Sequence, residues 1–201
     1  MNFFLRSISY ILHPLLMPIL GAIIYFSNAP RFISSEIITA KILGLITITL
    51  LMPIVLFFLL KNLGIITSIH LRNSRERKIP LLLQSILFII VIKMVINIYH
   101  YPELYFFYLG ILFSSLSAIF MIFFNIKASL HMIGVSSITI FTILLSIHFE
   151  LNLIILISIL FILNGLSATS RLHYKAHTSF ELILGILIGT VPQITLANLW
   201  L

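Results

Sequence analysis

Apolar runs at roughly 8–27, 42–60, 80–98, 104–124, 132–148, 151–168 and 179–199 alternate with short stretches that hold most of the Lys, Arg, Glu and His. Each run is close to the ~20 residues an α-helix needs to cross a hydrocarbon core about 30 Å thick, and a helix satisfies its own backbone polar groups there. The pattern therefore predicts an all-α fold: a polytopic transmembrane helical bundle of six to seven spans, forming one integral membrane domain over 1–201. The division between the fifth and sixth runs is only Glu150 to Asn152, which calls either for a tight helical hairpin or for a six-span arrangement with one segment in the interface.

Composition points the same way. Hydrophobic residues make up 61% and charged residues 8% of the chain, and the mean hydropathy is +1.21. Soluble domains carry about 25% charged residues. The first run contains Pro14 and Pro18 and outlasts a signal core, so it reads as a span rather than a cleaved leader. With no Cys, disulfides and thiolate chemistry are out of reach.

The polar residues are distributed unequally. Counting seven spans puts the segments 61–79, 125–131 and 169–178 on one membrane side with the N-terminus. They hold Lys61, His70, Arg72, Arg75, Arg77, Lys78, Lys127, His131, Arg171, His173, Lys175 and His177. The other side has little beyond Arg31, Glu36, Lys41, His100, Glu103, His148 and Glu150. Twelve Lys and Arg against five Glu and no Asp give a net charge of +7. Such a bias suits anionic lipid headgroups or an anionic substrate rather than nucleic acid, and it also follows from the positive-inside rule. Residue spacing has to decide.

Ser170, Arg171, His173, His177 and Glu181 crowd into one stretch of this apolar chain. Ionisable groups near a lipid core need a partner or a role. His177 and Glu181 stand four apart, so on a helix the carboxylate can hold one imidazole nitrogen and turn the other outward. The same four-residue step from His173 also permits a two-His, one-carboxylate site for Zn or Fe. His13, next to Pro14, reads as a polar residue at a helix kink, and Lys93 inside the third run has no evident partner.

The pattern Ser170-Arg171-x5-His177-x3-Glu181, with Gly185 following, resembles the third signature of the type 2 phosphatidic acid phosphatase superfamily, with Glu181 where that family carries Asp. Ala128-Ser129-Leu130-His131 resembles its Pro-Ser-Gly-His signature, and Lys127 precedes it. The segment from His70 to Pro80 stands where the first, Lys-x6-Arg-Pro, is expected; Arg77 is the best match for its phosphate-binding Arg, with Arg72 and Lys78 behind it.

The resemblance implies a six-helix core over about 42–201 with an extra N-terminal span over about 8–27, as in small bacterial members of the inner membrane. It implies a lipid phosphatase whose nucleophile is His177, positioned by Glu181, with His131 as the acid and then the base. Arg171, Arg77, Lys127, Ser129 and Ser170 would hold the phosphate, and no cofactor or metal is needed. The substrate would be a glycerolipid phosphate or a polyprenyl phosphate or pyrophosphate. A lipid-phosphate binder or carrier of the same fold, without turnover, is the alternative.

Overall fold

The computed structural model describes residues 2–66 and 75–201, and among these the chain is helical with no strand. The helices are α1 (Asn2–Ile11), α2 (Met17–Asn28), α3 (Ser35–Asn62), α4 (Lys78–Val95), α5 (Pro102–Phe123), α6 (Leu130–His148), α7 (Ile154–His173) and α8 (Ser179–Ala197). The six from α3 to α8 are long and apolar enough to cross a membrane, so the chain is a multi-pass integral membrane protein.

Where the apolar pattern predicts one span over 8–27, the chain forms α1 and α2, broken at 12–16. Pro14 lacks an N–H and disfavours helical dihedrals at His13, so the helix cannot run through. Pro18 sits in the first turn of α2, where a missing N–H does no harm. Prolines shape α3 as well: a π-helical turn at Thr47–Leu51 stands just before Pro53, the register adjustment that a missing donor invites. The hairpin expected near Glu150 is present. Glu150 adopts φ +54°, and the Ser146 hydroxyl donates to Leu151 O at 2.6 Å to close the turn.

α1 is amphipathic and turns aside at one end of the bundle. Its Leu5 and Ile8, with Leu12 just beyond, are buried at i, i+3, i+7 spacing. α2 then runs from that end, where Met17 lies against Gly134, to the other, where the Tyr25 hydroxyl donates to Glu103 at 2.9 Å. Arg31 and His148 reach the same Glu103 carboxylate at 2.5 and 3.3 Å. Between the two ends lies the core, with the Phe107 and Phe141 rings stacked at 4.3 Å. Lys93 lies exposed in the last turn of α4, near enough to the helix end for its ammonium to snorkel to the interface.

Small residues bring α8 onto α6. A Cβ at Gly185 would stand 2.8 Å from Ser129 O, and the Ser137 hydroxyl donates to Gly189 O at 2.9 Å. Without a hydrophobic drive between helices in lipid, such close backbone contact and polar bonding supply the packing. Gly185→Val is expected to destabilise the detergent-solubilised protein by about 1–3 kcal/mol, the usual overpacking range. A thermal melt checks this; an unchanged midpoint would mean that α8 does not need the close approach.

Candidate functional site

The turn between α7 and α8 is set by two local features. Lys175 takes φ +49°, which reverses the chain, and Thr178 then caps α8. The cap is reciprocal: Glu181 N–H donates to Thr178 Oγ1 at 3.3 Å, and Thr178 N–H donates to Glu181 Oε2 at 3.1 Å. The same Oε2 lies 3.0 Å from His177 Nδ1. A proton on Nδ1 donated to a carboxylate leaves Nε2 with its lone pair. The capping box thus holds the carboxylate, and the carboxylate holds the imidazole.

A cavity of about 1540 Å³ opens beside this pair. Pockets for drug-sized ligands measure about 300–1,000 Å³, so this one suits a long molecule. At its polar end it is lined by Arg77, Lys127, His131, Arg171 and His177. Its other walls are mostly apolar, including Phe57, Leu87, Phe88 and Ile138, and from Pro80 to Phe88 it follows α4 for about 12 Å. None of the five glutamates lines it. An anionic head with an apolar tail is the ligand shape that such walls complement.

Both α6 and α8 present helix starts here. Ser129 N–H donates to Glu181 O at 3.1 Å, tying the start of α6 to the first turn of α8. His131 follows in the first turn of α6, among backbone N–H groups that a helix leaves unpaired and that favour anions. Arg171 Nε is buried without a hydrogen-bond partner among the described residues; the Ser129 hydroxyl is also buried and unpartnered, but Ser129 packs toward Gly185 of α8 and does not line the cavity, contrary to its expected place among the phosphate ligands. An unsatisfied guanidinium donor on a residue of a cationic cavity fits a site that takes an anion.

Electrostatics set the protonation of His177. Burial is the largest influence and lowers its pKa below the ordinary histidine value; the Arg77 guanidinium lowers it further, against the opposing pull of Glu181. The imidazole therefore favours the neutral form at neutral pH, in which one ring nitrogen keeps its lone pair.

Other expected site residues lie elsewhere. Ser170 is fully buried and its hydroxyl donates to Leu5 O at 2.9 Å, so it fastens α1 to α7 and does not line the cavity. Lys78 points its ammonium over the Phe123 ring at 4.8 Å and is likewise outside the lining. His70 and Arg72 fall outside the described residues. His173 closes α7 while His177 lies in the following turn, so the four-residue step between them is not one helical face. Among the described residues no three His, Asp or Glu side chains gather as a metal-ligand set.

The structure also brings in residues that the motifs do not mark. Arg171 Nη2 donates to Ser9 Oγ, Ser9 Oγ lies 2.7 Å from Ser170 Oγ, and His131 Nε2 lies 3.2 Å from Ser9 O. A carbonyl can only accept, so that contact makes His131 Nε2 the protonated nitrogen and leaves Nδ1 as the basic one. Compared with protein-family models, curated proteins and solved structures, the chain matches none of them.

Proposed function

We propose that the protein is a membrane lipid phosphatase that removes the terminal phosphate of a glycerolipid phosphate or of a polyprenyl phosphate or pyrophosphate. The observation that carries this reading is the His177–Glu181 pair, set at the cationic end of a long apolar cavity. The resemblance of its motifs to the type 2 phosphatidic acid phosphatase superfamily supports the same chemistry, and with it a place in a bacterial inner membrane.

In the first step His177 Nε2 attacks phosphorus, an N–P bond forms, and the P–O bond to the lipid breaks. With the charge of the bound phosphate beside it, His131 carries a second proton on Nδ1 and gives that proton to the leaving oxygen, while Nε2–H stays on Ser9 O. In the second step water attacks the phosphohistidine while His131, now basic, takes a proton from it; inorganic phosphate leaves and His177 returns to its neutral state. Arg77, Lys127 and Arg171 hold the phosphoryl oxygens and stabilise the charge that develops on them. The lipid tail lies along the apolar wall, so binding energy far from phosphorus aligns the head.

The test is phosphate release by detergent-solubilised protein over a panel of lipid phosphates, in the presence of a chelator, with His177→Ala as the control. Turnover that survives chelation and depends on His177 is the expected result. No release beyond the His177→Ala control would make the protein a lipid-phosphate binder or carrier.

The pH dependence follows from the environment of His177. Protonation removes the nucleophile, and a depressed pKa moves that loss to lower pH, so the acid limb of kcat/KM is expected below pH ~6.5, the ordinary histidine value. Arg77→Gln removes a repelling cation. Its acid limb should shift toward higher pH, separately from any fall in the plateau; a limb that stays in place would show that Arg77 does not act on His177.

A further inference from the structure

Arg6, Ser9, Tyr10 and His13 follow the i, i+3, i+4, i+7 spacing of one helical face, and all four line the cavity. The neighbouring face of the same segment is buried in the bundle through Leu5, Ile8 and Leu12. The N-terminal arm is thus a wall of the polar end. Its Ser9 already binds Arg171 and His131.

His13 stands at the break between α1 and α2, open to the cavity. Leu15 N–H donates to its Nδ1 at 3.3 Å, which in the neutral imidazole leaves the proton on Nε2. Burial and, to a lesser degree, Arg171 hold its pKa below the ordinary histidine value, so the neutral form prevails at neutral pH. The ring meets that of His131 edge-on, with centroids 5.7 Å apart.

The break is seated on α6 by a close approach. A Cβ at Gly134 would come within 2.7 Å of Met17 Cγ and 3.8 Å of Pro14 Cα. Gly134 lies three residues after His131, hence on the same side of α6. The face of α6 that carries His131 into the cavity also admits the turn that carries His13.

We propose that His13 is a substrate-contacting residue whose Nε2–H donates a hydrogen bond to a phosphoryl oxygen held by Arg171, beside the His131 imidazole. The proposal rests on the lipid-phosphate reading of the cavity. A neutral donor adds a directed N–H without adding a charge that would repel a proton from His131 or His177. Arg77, Lys127 and Arg171 supply attraction; His13 supplies direction.

The experiment compares His13→Gln, which carries an N–H near the position of Nε2, with His13→Asn, which does not reach it, and with His13→Phe. Steady-state kinetics on dioctanoyl phosphatidic acid in detergent micelles should show kcat/KM reduced about 10- to 100-fold in the Asn and Phe variants, the range for losing a hydrogen bond to a charged acceptor. His13→Gln should stay within about threefold of wild type. Unchanged kinetics in His13→Phe, or an equal loss in Gln and Asn, overturns the proposal. If His13→Phe fails to fold, the Gln and Asn pair decides alone. Should the wild type hydrolyse no lipid phosphate, the phosphatase reading fails by itself, and the rise in melting temperature with inorganic phosphate decides on His13. A rise kept in Gln and lost in Asn supports the contact; equal rises in all variants overturn it.

Discussion

His177→Ala should abolish phosphate release, with a loss on the order of 10³ or more, since removing an activated nucleophile leaves only binding and charge stabilisation. The residue lies in the turn before α8, where its side chain is nearly buried and bonded to Glu181, so some fall in melting temperature should accompany the loss of release, and activity is compared per folded molecule. Glu181 variants divide its two duties. Glu181→Gln can still accept from Thr178 N–H and keep the cap, but it replaces the carboxylate beside Nδ1 with an amide that can also bind the wrong tautomer. Turnover should therefore fall steeply while stability holds. Glu181→Ala loses both, and an extra stability cost of about 0.5–2 kcal/mol should appear with the lost cap. The decisive readout is a ³²P-labelled lipid phosphate chased in acid-quenched and alkali-quenched samples. An acid-labile, alkali-stable protein label present in wild type and absent from His177→Ala is expected. Full turnover in His177→Ala would remove the nucleophile from the mechanism and the phosphohistidine with it.

The capping box gives a physical reason for Glu at a position where the signature it resembles carries Asp. A side chain at the third position of a helix must reach back to the N-cap N–H, and Glu or Gln has the length to do so. Here one oxygen of Glu181 meets both Thr178 N–H and His177 Nδ1. The Ser-Arg-x5-His-x3-Glu spacing was legible because it is local: a break, a cap and one helical turn. The apolar runs were legible for a similar reason, as lipid demands about 20 apolar residues whatever the partners. What sequence did not disclose depends on pairing between distant segments. The contacts of Ser170 with Leu5 and Ser9 span more than 160 residues, and nothing in the motif separates a phosphate ligand from a helix fastener. The place of α1 was not legible, because the apolar run over 8–27 reads as one span although Arg6, Ser9, Tyr10 and His13 stand at helical spacing. Pro14, which the apolar run places as a kink within one span, parts two helices because α1 finds its own partners at the end of α7.

Glu103→Ala should be the most destabilising single change at the end of the bundle away from the cavity, by about 3–5 kcal/mol, the range for breaking a buried ion pair from one side. Glu103 is fully buried at the start of α5, and three segments converge on its carboxylate: the Tyr25 hydroxyl from α2, the Arg31 guanidinium from the turn that follows, and His148 from the end of α6. Removing the acceptor leaves the buried Tyr25 hydroxyl without its partner and Arg31 without its counter-charge, although Arg31 keeps its bond to His100 O at 2.9 Å and remains partly open to solvent. Glu103→Gln preserves an acceptor for Tyr25 and should recover part of the loss. Thermal melts of the three proteins in one detergent measure the order wild type, Gln, Ala. Tyr25→Phe combined with Glu103→Ala should cost little more than Glu103→Ala alone, because the two groups share one interaction. The site itself lies at the other end of α2, so per folded molecule kcat on a lipid phosphate should not change. A variant that melts like wild type would show that the three segments are held by apolar packing alone, whereas a fall in kcat without a fall in stability would place Glu103 in the chemistry rather than in the frame.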